Sequence, residues 1–138
     1  MIFLDTNVLI YAADRGSRYW HWARETLADA VAGGGAVINT VVLAEVCVGD
    51  LDPDTAADRI RSWGVEILDL PTAAAPVCAK AYLAYRQRRA AESGEESPRL
   101  PLPDFFIGAH AEIMGWPLAT ADPGRFKTYF SSVELQTP

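Results

Sequence analysis

Four acidic residues in this 138-residue sequence have the type and placement that metal-ion chemistry requires. Asp5 directly follows the apolar run MIFL, and Asp122 stands in LATADPGRF after another short apolar run. Asp104 stands in LPLPDFFIGAHA, at the start of a predicted helix. Glu45 is the only charged residue between Ala30 and Gly49, in a predicted apolar helix where an unpaired carboxylate is costly.

Each acid also has a simpler explanation. Asp5 and Asp104 are suited to capping the helices that follow them, and Asp-Pro-Gly at 122–124 is an ordinary turn signal. Glu45 would then pair with an arginine distant in sequence. Taken together, the four positions favour one cluster. Asp5, Asp104 and Asp122 fall at strand ends or a helix start on the expected carboxyl edge of the sheet, and Glu45 lies in a helix that cannot easily solvate it. Clustered carboxylates repel one another, and oxygen donors without cysteine or paired histidines suit Mg²⁺ or Mn²⁺ rather than zinc.

The elements that must position these acids are read from alternating short apolar runs and longer helical patterns. Strands are predicted at 1–4, 36–39, 65–70 and 117–120, with an edge strand at 133–136. Helices are predicted at 8–13, opened by Thr6 or Asn7, and at 18–32, 40–48 (with a threonine cap), 53–63, 72–91 and 103–114. A polar loop is predicted at 92–102. This alternation predicts an α/β fold, a three-layer α/β/α sandwich with a central, mostly parallel sheet.

Composition narrows the class of protein. The chain is 50% apolar, which is enough for one folded domain over residues 1–138. Its net charge of −6 argues against a polycationic protein that coats nucleic acid without specificity. Two cysteines do not make a disulfide scaffold and are typical of a reducing compartment. MIFLD has no basic segment of a signal peptide, and no run is long enough to span a membrane. We therefore expect a cytoplasmic protein.

In LDTNVLIYA, TVVLAEV, PLPDFFIGAHA and LATADPGRF, in that order, the sequence resembles the PIN domain family, and within it the VapC-type toxins of toxin–antitoxin pairs. The resemblance implies an acidic quartet of Asp5, Glu45, Asp104 and Asp122. It also implies Mg²⁺- or Mn²⁺-dependent cleavage of single-stranded RNA, a homodimer, and inhibition by a small antitoxin. Two alternatives stay open: the RNA substrate is structured, or the protein is a PIN nuclease that is not a toxin.

Within this resemblance, Asp5, Asp104 and Asp122 are expected to bind the metal, with Glu45 bound through water or accepting a proton. The metal would activate water and stabilise charge on the attacking and leaving oxygens. Four residues are expected to support the site or the substrate: Thr6, Asn7, Thr120 and Arg125. Thr6 and Asn7 would orient Asp5, and Thr120 would contact the site or a phosphate, with a plain capping or strand role as the alternative for each of the three. Arg125 would hold a phosphate or pair with an acid.

Two other functions remain to be weighed. A metal-dependent phosphatase also has an aspartate after its first strand, but it needs a second aspartate two positions later, where this chain has Asn7. A non-catalytic binding module with the same fold would be favoured by loss of one acid, yet all four are present.

Three other basic residues have two interpretations. They contact RNA, or they are simply basic residues of the kind favoured near a helix C-terminus: Arg86, Arg88 and Arg89. Trp20 is expected on a buried helix stripe with Ala23, Leu27 and Val31, and His110 as a packed helix residue.

Overall fold

The computed structural model describes residues 1–138, and its centre is one sheet of five short strands. The strands are β1 (Ile2–Leu4), β2 (Ala36–Asn39), β3 (Val65–Leu68), β4 (Leu118–Ala119) and β5 (Leu135–Gln136). All neighbouring pairs are parallel, and the strand order is β3-β2-β1-β4-β5. The predicted α/β/α fold with a parallel sheet is therefore confirmed, and β1 lies at its centre.

Seven α-helices connect the strands. They are α1 (Thr6–Ala13), α2 (Trp20–Ala32), α3 (Thr40–Val48), α4 (Ala56–Ser62), α5 (Ala74–Ser93), α6 (Pro103–Met114) and α7 (Gly124–Tyr129). A short 3₁₀ turn, Pro53–Thr55, precedes α4, so the helix predicted over 53–63 divides into two pieces. None of the helices is long and apolar enough to cross a membrane.

The sheet is buried because helices cover both of its faces. A single cluster of 24 buried apolar residues includes Phe3 and Leu4 of β1 and Val37 and Ile38 of β2, all fully buried. Such uninterrupted apolar strands are typical of parallel sheets, which explains why no polar alternation marks them in the sequence. The first polar residue after β1 is Asp5, so the buried centre of the sheet ends directly at a carboxylate.

Three local predictions were wrong. The cap of α3 is the side chain of Asn39, whose Oδ1 accepts from the Val42 amide at 3.0 Å, and not a threonine. The six-residue helix α7 was missed, because a helix of that length shows too little periodicity to be recognised. On α2 the core is contacted by Ala23, Trp22 and Leu27, whereas Trp20 is half-buried and packs beside Arg24. Val31, expected on the same buried stripe, is exposed.

Candidate active site

The site lies at the carboxyl edge of the sheet, where β1 and β4 end side by side. Leu4 pairs with Ala119, and the amide of Asp5 donates to the carbonyl of Ala119 at 2.9 Å. The two chain segments that leave the sheet at this point carry Asp5 and Thr120, which are 115 residues apart in sequence. The parallel register therefore brings the first and last predicted motifs together.

Three donors hold the carboxylate of Asp5, which is 5% exposed. Its Oδ1 accepts from the Thr6 amide at 2.7 Å, so Asp5 caps α1. Its Oδ2 accepts from the Thr120 hydroxyl at 2.7 Å and from the Asn7 amide group at 3.2 Å. Asp5 thus caps a helix and is also part of the site, and the simpler explanation does not replace the functional one.

Burial decides the protonation behaviour of Asp5. Its pKa is raised from an ordinary value of 3.8 to about 6, first because burial removes water from the charged form. The negative charges of Asp104 and Glu45 raise the pKa further, while the hydrogen bonds from Thr120 and Thr6 lower it. Asp5 has no cationic partner in the protein. A cation beside Asp5 would therefore strongly stabilise the ionised form of this carboxylate.

Glu45 is held by α3, close to the start of α1. The hydroxyl of Thr6 donates to Glu45 Oε1 at 2.6 Å, so Thr6 contacts two of the four acids, one through its amide and one through its side chain. The helix around Glu45 is less enclosed than its apolar sequence suggested, since only Val42 is buried and Val48 is 88% exposed. Glu45 is half-buried, with a threonine hydroxyl in place of the distant arginine.

Asp104 lies in the first turn of α6, one residue after Pro103. It does not cap this helix, because the cap position is Leu102 and no side chain there accepts a hydrogen bond. Its Oδ2 instead accepts from Arg125 at 3.0 Å. Of the two alternatives for Arg125, the structure therefore has the pair with an acid, made from the helix that sequence inspection missed.

Asp122 is exposed at the end of the segment that follows β4. Its amide donates to the Thr120 hydroxyl at 3.1 Å, and the Ala121 amide donates to Asn7 Oδ1 at 3.1 Å. Asn7 therefore joins the loops after β1 and β4, because its amide group also donates to Asp5. These contacts fix the backbone of the Asp122 loop, and the side chain of Asp122 is exposed.

A depression of about 300 Å³ collects all four acids. Its lining consists of Asp5, Thr6, Asn7, Ile10, Tyr11, Glu45, Asp104 and Asp122. Thr120 supports this depression from beneath Asp5, and Arg125 lines a neighbouring cleft while its guanidinium reaches Asp104. The eight predicted residues are thus in one neighbourhood, although Arg125 is at its boundary.

The donors of this depression suit a hard divalent cation by their chemistry, since all four acids supply oxygen and Asp5 is buried without a counter-charge. As the side chains lie, no three His, Cys, Asp or Glu residues form a group that could hold a metal ion. Arg125 also occupies one oxygen of Asp104. In this arrangement the acids would have to turn toward an ion to bind it, and the second oxygen of Asp104 is not engaged by Arg125.

Sequence inspection missed a polar link beneath the site. Asn39, fully buried at the end of β2, caps α3 with its oxygen, and its amide nitrogen lies 3.2 Å from His110 Nδ1 on α6. Because the oxygen faces Val42, the nitrogen donates to His110, whose pKa is lowered by burial. Asn39 thereby ties the helix of Glu45 to the helix of Asp104. The prediction that His110 is a packed, hydrogen-bonded residue is confirmed.

Comparison with solved structures gives the same fold. VapBC2 from Rickettsia felis bound to a DNA fragment from its promoter is 21% identical, with 100% of this chain and 99% of that chain covered and a TM-score of 0.62. VapBC-1 from nontypeable Haemophilus influenzae is 18% identical over 99% and 98%, with a TM-score of 0.66. Mycobacterium tuberculosis VapC20, described as a sarcin–ricin loop cleaving toxin, is 16% identical over 97% and 99%, with a TM-score of 0.63.

At these identities the similarity shows a shared fold and nothing more, and no curated protein sequence matches the chain. The family is shown by a match to a sequence profile. The sequence profile of the PIN domain matches residues 2–130, which contain all four acids and every strand except the edge strand β5. The chain belongs to the PIN domain family.

Proposed function

We propose that this protein is an endoribonuclease that depends on Mg²⁺ or Mn²⁺ and acts as the toxin of a toxin–antitoxin pair. The observation that carries the proposal is the buried Asp5, which has other carboxylates around it and no protein cation beside it. PIN domains are generally nucleases, and similar structures come from toxin–antitoxin complexes. One of them, VapC20, is described as a toxin that cleaves the sarcin–ricin loop, an RNA target.

In this mechanism Asp5, Asp104 and Asp122 hold the metal. When bound, a divalent ion supplies a nucleophile from water at neutral pH and stabilises negative charge on the phosphodiester. Thr120 and Asn7 keep Asp5 pointing into the depression through their hydrogen bonds to Oδ2. Glu45, held by the Thr6 hydroxyl, is placed to accept a proton from the attacking water or to donate one to the leaving oxygen.

Isosteric substitutions test the proposal directly. We expect Asp5→Asn and Asp104→Asn each to reduce cleavage of labelled single-stranded RNA by at least about a hundredfold, because each removes a charge that the metal requires. EDTA should abolish cleavage by the wild type, and Mg²⁺ or Mn²⁺ should restore it. Asp58→Asn, an exposed acid on α4, is the matched control and should keep wild-type activity.

The same variants separate the toxin role from the nuclease activity. Induced expression of the wild type and of Asp58→Asn should arrest bacterial growth, and Asp104→Asn should not. A short neighbouring reading frame whose product relieves the arrest would supply the antitoxin. RNA cleavage that persists in EDTA, or in the folded Asp5→Asn variant, would contradict the nuclease mechanism. Folded protein without any RNA cleavage would instead favour a non-catalytic binding module.

The remaining expectations belong to the same proposal. A homodimer and a location in the cytoplasm are proposed with the toxin role. The strongly exposed apolar side chains of Val48 and Leu51, at 88% and 105%, are suited to a contact with another protein surface.

A further inference from the structure

A second cleft adjoins the acidic depression and has the opposite character. It has a volume of about 370 Å³ and lies between α5 and α7. Three arginines face it, Arg88 and Arg89 from α5 and Arg125 from α7, together with the rings of Tyr85 and Tyr129. The sequence places the α5 arginines in one run with Arg86, but Arg86 does not line this cleft.

The lining of this cleft is positively charged, whereas the chain as a whole is negatively charged. Its lining has three arginines and one acid, Glu92, a balance of +2, whereas the whole chain has −6. Arg88 pairs with Glu92 at 3.0 Å, and Arg89 pairs with Glu95 at 3.2 Å. All four of these side chains are well exposed, and surface pairs of this kind contribute only about 0–1 kcal/mol. A phosphate group can therefore replace either glutamate at little cost.

Tyr85 contacts two of the three cations. The Arg125 guanidinium lies 5.6 Å from the ring centroid of Tyr85, and Arg89 donates to the Tyr85 hydroxyl at 3.2 Å. Tyr129 packs against Tyr85 with the two rings nearly perpendicular and their centroids 5.7 Å apart. Arginines that alternate with aromatic faces are suited to single-stranded nucleic acid, whose phosphates and bases they contact in turn.

Arg125 connects this cleft to the acidic depression. One face of its guanidinium lies over Tyr85 in the cleft, and its NH1 donates to Asp104 in the depression at 3.0 Å. A strand whose reacting phosphate lies at Asp104 would therefore continue past Arg125 into the cleft. Arg88 and Arg89 line the cleft beyond Arg125, so a strand that continued there would bring its next phosphate to them.

We propose that the cleft between α5 and α7 is a subsite for the nucleotide flanking the reacting phosphodiester, with Arg88 and Arg89 contacting its backbone phosphate. This inference rests on the proposed ribonuclease function and names where that enzyme holds its substrate. The contacts are to the backbone, so the subsite positions RNA of any sequence and does not select a base.

The test compares two charge-matched double variants of the full chain. Arg88→Gln/Arg89→Gln removes the subsite cations, and Arg59→Gln/Arg61→Gln removes two exposed arginines of α4 as the control. The substrate is a labelled RNA oligonucleotide that the wild type cleaves in Mg²⁺, and kcat and KM are measured over a NaCl series. We expect the subsite variant to show a severalfold higher KM with kcat nearly unchanged. Its plot of log(kcat/KM) against log[NaCl] should be shallower by about 1.4, the value for two lost contacts to single-stranded nucleic acid.

Each other outcome overturns the inference in a recognisable way. If the subsite variant behaves like the α4 control while the wild type cleaves RNA, the subsite is wrong and the proposed function stands. If the variant keeps its RNA kinetics but loses binding of a polyglutamate peptide, the cleft is a protein-binding surface. If the wild type cleaves no RNA in Mg²⁺, the proposed function fails and the subsite fails with it.

Discussion

Asp5 shows how one side chain serves structure and chemistry together. It caps α1 through the Thr6 amide, and its second oxygen accepts hydrogen bonds from Thr120 and Asn7. The sequence predicted both uses of Asp5 separately, because a carboxylate after an apolar strand is typical of either. What it could not predict is the degree of burial, which comes from the packing of β1 between β2 and β4.

The raised pKa of Asp5 predicts a specific pH dependence of stability in EDTA. Because the folded pKa of about 6 exceeds the ordinary 3.8, the folded state binds the proton more tightly, and stability from this group is present below 3.8 and lost as the pH rises through 6. The loss approaches about 3 kcal/mol at pH 7. Asp5→Asn removes this titration, so its stability relative to the wild type should rise between about pH 4 and pH 7.

Urea denaturation of both proteins across this pH range measures the difference. Asp58→Asn, a carboxylate on the exposed face of α4, is the control and should follow the wild type. A constant difference between Asp5→Asn and the wild type from pH 4 to pH 7 would show that Asp5 is not desolvated as described.

Arg125 marks the limit of sequence inspection at the scale of one residue. Its two alternatives, a phosphate contact or a pair with an acid, could not be separated because the helix that carries it was not recognised. In the structure Arg125 is paired with Asp104 and lies over Tyr85, so the pair with an acid is the alternative that the structure has. Tertiary proximity between α5, α6 and α7 decides this, and no local pattern encodes it.

At the scale of elements, helix ends place the acids. Asp5 starts α1, Asp104 is in the first turn of α6, and α3 presents Glu45 toward Thr6. The ranges of β2, α3 and α6 were predicted at their observed bounds, because glycines precede β2, a threonine opens α3 and a proline opens α6. The cap of α3 was assigned wrongly to a threonine, since Asn39 still lies within β2 and reads as part of an apolar run.

The Asn39 link predicts a measurable loss of stability. Asn39→Ala removes the cap of α3 and leaves His110 Nδ1 buried without a donor. We expect the free energy of unfolding to fall by about 2–4 kcal/mol, the sum of a lost cap and an unsatisfied buried acceptor. Asn39→Ser keeps a capping oxygen and loses the donor, so it should recover only the capping share. Equal stability of the serine and alanine variants in urea denaturation would contradict the capping role.

At the scale of the whole molecule, the fold was predictable and the geometry of the site only in part. Alternation of short apolar runs with helices predicted the parallel sheet, and strand ends and a helix start placed three of the four acids at one edge. The pairing of Leu4 with Ala119, which sets Asp5 beside Thr120, depends on the order of the strands in the sheet. That order cannot be predicted from any local segment of the sequence.

Metal binding should be visible in the stability of the whole chain. If the acids bind a divalent ion only when folded, millimolar Mn²⁺ should raise the midpoint of thermal unfolding by roughly 4 °C, the shift expected at about ten times the dissociation constant. Differential scanning fluorimetry in EDTA and in Mn²⁺ gives this value. Asp104→Asn should shift much less, and Asp58→Asn as much as the wild type. An equal shift in all three would place the ion elsewhere.

The final strand of the chain has a practical consequence. Gln136 of β5 accepts a hydrogen bond from the Thr120 amide at 3.0 Å, and Thr120 in turn holds Asp5. Residues 135–136 thus brace the segment of Thr120 from the neighbouring strand. Deletion of Leu135 and Gln136 would remove this support and should weaken RNA cleavage without touching any acid. Protein used to measure the proposed activity should therefore retain β5.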